Sequence, residues 1–153
     1  MPTLSTDSLD VGFARLAGEV AESFSFNKSL GQIYGLLYMS PTPLSLADIG
    51  KSLSMSKGNA SINVRLLESW GAVTPVSVVG SRKDYYEANR DVQKIVLRRL
   101  REGLAKRLNR VEEMLNDLPP PSSKNSDQIK HLQEWHALLA KTRRGLKLVT
   151  TWL

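Results

Sequence analysis

The run Ser56-Lys57-Gly58-Asn59-Ala60-Ser61-Ile62-Asn63-Val64-Arg65 holds the side chains with the most to offer chemically. Asparagine matches adenine through two hydrogen bonds, arginine and lysine match guanine, and serine reaches a phosphate or a base edge. The free N–H groups at the start of a helix can also hold a phosphate. Ala60, Val64 and Leu67 recur at the spacing of a core-facing edge, which leaves Ser56, Lys57, Asn59, Ser61, Asn63 and Arg65 as candidate readers of a duplex. Ile62, Leu66 and Trp70 form a second apolar edge; Ile62 either touches a thymine methyl or is buried, and periodicity leaves both open. Ser, Gly and Asn also serve ordinary caps and turns, so this run does not decide its own role. Farther on, Arg82 and Lys83 follow Gly80-Ser81 at a turn. Two cations there suit the edge of a minor groove, where narrow tracts concentrate negative potential, or are simply solvated.

Other chemistry finds little support. The chain has no cysteine, which removes thiolate metal sites, disulfides and a cysteine nucleophile. His131 and His136 lie five apart beside Glu134 with no second ligand set, so no metal site is expected. No Ser-His-Asp order, P-loop or Gly-rich dinucleotide motif occurs, so no catalytic residue, cofactor or enzymatic activity is expected. Tyr34, Tyr38, Trp70, Tyr85, Tyr86, Trp135 and Trp152 could in principle cage a quaternary ammonium. Each falls on or beside an apolar stripe, so packing is the expected use.

The elements that must position these residues are mostly helical. Leu9, Phe13, Leu16, Ala17, Val20 and Phe24 predict an amphipathic first helix. A short apolar helix, Leu30 to Met39, ends at Ser40-Pro41-Thr42-Pro43. Ser45-Leu46-Ala47-Asp48 is a capping-box variant opening a helix to about Leu53. Ser54-Met55-Ser56 then turns into a longer helix that stops at Gly71, a helix-turn-helix pattern. The period changes to two, predicting a strand over Val73–Val79, a turn over Gly80–Lys83 and a returning strand over Asp84–Ala88. Pro75 confines the first strand to an edge or bulge. Helical periodicity returns from Asp91 to Leu118, breaks at Pro119-Pro120-Pro121, and resumes from about Ser126. The expected fold is therefore mainly α with a small β-hairpin wing. It is a winged helix-turn-helix (29–90) between an N-terminal helix (1–28) and a C-terminal helical hairpin (91–153), both serving dimerisation.

Charge and patterning extend this reading. Of 21 Lys and Arg against 15 Asp and Glu, residues 119–153 hold six against two, whereas residues 29–90 hold six against four. A basic balance favours a polyanion partner, nucleic acid before an anionic membrane surface. The tracts Arg98-Arg99-Leu100-Arg101, Lys106-Arg107 and Arg143-Arg144 read as solvated faces, some paired with Glu102, Glu112 and Glu113. Apolar stripes on the terminal helices exceed what one small domain covers. Positions 129, 132, 136, 139, 143, 146, 150 and 153 alternate three and four, an imperfect coiled-coil seam. Phe13, Leu16, Ile129, Leu132, Leu139 and Leu146 are thus expected to pair two copies. A two-fold dimer would place two recognition helices on half-sites one turn, roughly 34–36 Å, apart. The N-terminus lacks an apolar signal core and no apolar run spans a membrane, so a cytoplasmic protein is expected.

Several segments carry a resemblance. Gly31-Gln32-Ile33-Tyr34-Gly35-Leu36-Leu37-Tyr38, Leu44-Ser45-Leu46-Ala47-Asp48-Ile49, Ser56-Lys57-Gly58-Asn59-Ala60-Ser61, Trp70-Gly71-Ala72-Val73 and Gly80-Ser81-Arg82-Lys83-Asp84-Tyr85-Tyr86-Glu87-Ala88 resemble the GbsR-like branch of the MarR-type winged helix-turn-helix regulators, over residues 29–90. The resemblance implies a homodimeric transcription regulator, often a repressor, bound to a pseudo-palindromic double-stranded operator. Ser56, Lys57, Asn59, Ser61, Asn63 and Arg65 would form its recognition surface, with Arg82 and Lys83 in the wing. Some members act on genes for osmoprotectant uptake or synthesis; no residue here assigns a small-molecule effector. Two readings compete. One is a winged-helix interaction module that holds a protein through Leu66, Trp70 and the basic helices. The other is association of residues 126–153 with an anionic membrane.

Overall fold

Polar side chains set where the helices of the first unit begin. Asn27 Oδ1 accepts from the Ser29 N–H, Ser56 Oγ from the Asn59 N–H, and Ser45 and Asp48 exchange a full capping box. The computed structural model describes residues 8–121 and 125–148. Its elements are α1 (Leu9–Ser23), α2 (Lys28–Met39), β1 (Leu44–Ser45), α3 (Leu46–Leu53), α4 (Lys57–Ser69), β2 (Val73–Val76), β3 (Tyr85–Ala88), α5 (Val92–Asn116) and α6 (Ser126–Leu148). Contacts gather these into two compact units, one up to Ile95 and one from Val96 onward. The expected mainly helical winged fold is what forms.

In the first unit, Ile33, Leu36, Ile49, Val64 and Val73 are fully buried, so the core is shared by α2, α3, α4 and the sheet. Ile95, in the first turn of α5, closes it. The three strands lie in the order β1-β3-β2, all antiparallel, with Leu44 opposite Tyr86 and Val76 opposite Tyr85. β2 is an edge, as Pro75 requires. The helix-turn-helix corner is tight: Ser54 adopts a left-handed conformation (φ 53°), and the Met55 N–H bonds the Gly50 carbonyl at 2.9 Å.

Three expectations change. β1 pairs two residues that were read only as the entry to a helix. The strand from Val73 ends at Val76, not Val79, because the Ser81 N–H takes the Val78 carbonyl at 3.1 Å and folds the loop early. The large apolar stripe of α1 is not its packed face. Ala14 and Gly18 are buried instead, while Leu16 stays 57% exposed and Phe13 stacks on Tyr38 of its own chain. Small residues let α1 and α2 approach closely: a Cβ on Gly31 would sit 2.3 Å from the Ala17 carbonyl oxygen.

The second unit comprises the remainder of α5 with α6. Arg143 donates to the Glu112 carboxylate and to Asn109 Oδ1 at 3.0 Å, and Arg99 donates to Glu102 at 2.8 Å, so part of the basic tracts is paired as expected. No described residue of α6 is buried. Ile129, Leu132, Leu139 and Leu146 are partly covered within their own chain, and Trp135, at 55%, is more exposed than the expected seam. Thr150, Trp152 and Leu153, named in the sequence argument, lie outside the described residues.

The capping box gives a pH prediction. Asp48 Oδ2 accepts from the Ser45 hydroxyl at 2.5 Å and from the Ser45 N–H at 3.0 Å. That hydroxyl, then the N–H, with help from Lys83 and Lys51, holds the carboxyl below its usual 3.8 against a small opposing effect of burial. A depressed folded pKa stabilises above the unfolded value and loses that contribution as pH falls through the folded one. Urea midpoints followed down from about pH 6 should therefore fall less steeply for Asp48→Asn than for the unaltered protein.

Candidate nucleic-acid interface

Helix α4 is anchored by Ala60, Asn63, Val64 and Leu67, all buried. Its opposite side presents Gly58, Ile62, Arg65 and Ser69 to solvent, with Lys57 exposed at the first turn. At its far end Gly71 is left-handed (φ 71°), and the Ala72 N–H bonds the Leu67 carbonyl at 2.9 Å. Asn89 ties the end of the hairpin to that cap. Its Nδ2 donates to the Gly71 carbonyl at 3.0 Å and its N–H to the Ala72 carbonyl at 2.8 Å. Tyr34 Oη–H in turn donates to the Asn89 carbonyl at 2.6 Å, and burial pushes that phenol up to about 12. Helix α4, the hairpin and α2 are thus held in one register through Asn89 and Tyr34.

The expected readers divide. Lys57, Asn59 and Arg65 are exposed, and Ser61 is half-buried. Ser56 is exposed, but its oxygen is occupied as the cap of α4, 3.2 Å from the Asn59 nitrogen. Asn63 is a correction: at 4% exposure it faces the core. Its Nδ2 donates to the Asn59 carbonyl at 2.9 Å and to Asn59 Oδ1 at 2.6 Å. A polar residue one turn from another satisfies itself on the helix and so escapes the cost of burial. Asn59 is exposed yet engaged, because its Nδ2 also reaches Ser29 Oγ on α2 at 3.4 Å. Ile62, left open by periodicity, is 71% exposed, and Leu66 is also on the surface.

Arg82 and Lys83 are both exposed on the wing loop. Gly80 takes φ 83°, a conformation that favours glycine, and Ser81 Oγ accepts the Lys83 N–H at 3.2 Å. The Lys83 charge also helps to lower the Asp48 carboxyl. Aromatic residues pack as expected in this unit: Tyr34 and Phe13 each lie 6.0 Å from Tyr38, Arg90 lies over Tyr38 at 5.7 Å, and Phe26 meets Trp70 edge-on. The second unit holds a cavity of about 380 Å³ lined by Arg101, Leu108, Arg143, Leu146 and Lys147 among others, which the sequence did not announce. Among the described residues no cluster of three His, Cys, Asp or Glu could hold a metal, and no helix is long and apolar enough to cross a membrane.

Known proteins share this architecture. No family model matches the chain. It is 27% identical over 140 residues to the "Putative HTH-type transcriptional regulator YvaV" of Bacillus subtilis, covering 80% of this chain and 77% of that protein. It is 27% identical over 94 residues to the HTH-type transcriptional repressor OpcR of the same organism, covering 60% of this chain and about half of OpcR, 51%. A crystal structure described as a transcriptional regulator superposes with a TM-score of 0.56 at 23% identity, over 90% of this chain and 92% of that one. The chain has the winged-helix fold, and its relatives are helix-turn-helix regulators.

Proposed function

We propose that the chain is a homodimeric, sequence-specific double-stranded DNA-binding transcription regulator of the MarR type and its GbsR-like branch. The observation that carries this reading is placement. Lys57 and Arg65 stand on the solvent side of α4, and Arg82 and Lys83 on the wing beside it, on a winged-helix scaffold. In this reading α4 enters the major groove, where Arg65 and Ser61 discriminate bases, and the wing lies along the minor groove. Lys57 neutralises phosphate at the N-terminal end of α4, the positive end of the helix dipole. The name of OpcR supports a repressor. A regulator of this kind works in the compartment that holds the DNA, the cytoplasm.

The two-fold dimer is supported by apolar surface that no described residue of one copy covers. Leu9, Leu16, Val20 and Phe24 on α1 and Trp135 and Leu138 on α6 are all exposed. Such surface is costly in water and marks association. Self-pairing through these residues and the flanking Ile129, Leu132, Leu139 and Leu146 would present two copies of α4 to a pseudo-palindrome.

A salt titration tests the reading. Anisotropy of a labelled random duplex should report binding at low salt that weakens linearly on a log–log plot as salt rises. Lys57→Ala should weaken all sequences alike and flatten that slope by about one unit. An intact dimer that ignores duplex at low salt would contradict the proposal and favour a protein-interaction module.

A further inference from the structure

Resting on the DNA-binding reading above, we infer that Ile62 reads the C5 methyl of a thymine in each half-site. Ile62 is 71% exposed on the face of α4 opposite Ala60, Val64 and Leu67. Helical side chains lean toward the N-terminus, which aims Ile62 toward the turn that contains Gly58. Gly58 adds no side chain there, and a Cβ built on it would meet nothing within 4 Å. An aliphatic tip is therefore presented over a cleared surface near the N-terminal end of the helix, the end that reaches base edges in a major groove.

The neighbourhood narrows the occupant. Arg65 follows Ile62 on the same face and Lys57 opens the helix, both exposed, and the nearest acid on the helix, Glu68, lies almost two turns farther on. A polyanion suits that surface better than an apolar peptide groove. Of the bases in a duplex only thymine offers a methyl to the major groove. The two asparagines that would have read adenine spend their amide groups on each other and on Ser29. Discrimination must then come from fewer groups, and an aliphatic contact supplies it without a hydrogen bond.

The experiment starts from duplexes the protein selects from a random pool. Each thymine of the preferred site is replaced singly by deoxyuridine, which removes only the methyl. At one thymine per half-site, deoxyuridine should weaken binding about fourfold, the equivalent of about 0.8 kcal/mol for one buried methyl-sized group. Ile62→Ala should weaken the thymine duplex by a similar factor and abolish that deoxyuridine penalty, whereas Ile62→Val, which keeps the β-branch and loses only the δ-methyl, should retain a penalty at the same thymine. Unchanged deoxyuridine penalties at every thymine in Ile62→Ala, with cognate binding otherwise intact, would overturn this inference alone. Failure of the unaltered protein to select any duplex would take down the DNA-binding reading and this inference with it. Ile62 is exposed, so thermal melts should coincide for all three proteins.

Discussion

Gly31→Ala should destabilise the protein by about 2–3 kcal/mol, read as a lower urea midpoint at fixed protein concentration. The new Cβ would lie 2.3 Å from the Ala17 carbonyl oxygen and 2.7 Å from the Ala21 Cβ. The first contact is with helix backbone, so relief requires α1 to move off α2 as a body. Overpacking of that kind costs about 1–3 kcal/mol and occasionally more, while alanine regains up to about 1 kcal/mol of helix propensity. Backbone against backbone places the net at the upper end. Gly12→Ala is the internal control. It sits in α1, the other helix of the pair, with nothing within 4 Å of a built Cβ, so it should stabilise by up to about 1 kcal/mol. Equal and favourable shifts for the two variants would mean that α1 does not lie closely on α2.

The second large effect concerns reading. Arg65→Ala should cost about 1–3 kcal/mol on the cognate duplex and relax specificity at one base position. Arg65 is the one arginine on α4 and is exposed on its outward face. Because Asn59 and Asn63 are engaged within the protein, more of the discrimination falls on this guanidinium than the residue types alone suggest. Competition with random duplex measures it: the ratio of cognate to random affinity should drop, with random affinity changed much less. Equal losses on both would make Arg65 a phosphate contact.

Residue types announced some features and concealed others, for physical reasons. The inward edge of α4 was legible because Ala60, Val64 and Leu67 are apolar at helical spacing, and the caps at Ser45 and Ser56 because their chemistry is local. The burial of Asn63 is hidden by its polarity, because it depends on a partner one turn back. β1 is two residues long, too short for any period to register. β-branched Val78 and Val79 suggested strand, yet strand preference depends on a partner, and the early turn at Ser81 removes it. On α1 the eye follows Leu16 and Val20, whereas the packed face is made of Ala14 and Gly18, where the gain is close approach. The exposure of Ile62 was the useful surprise. Periodicity allowed either outcome, and only the tertiary position of α4 decided it.

The central claim is that two copies of this chain read a duplex through paired α4 helices. Selection of bound sites from a random duplex pool tests it most directly. The pool should enrich a pseudo-palindrome whose half-sites lie one helical turn, roughly 34–36 Å, apart, each requiring Arg65 for one of its positions. A pool that emerges unenriched, from protein that is folded and dimeric, would contradict it.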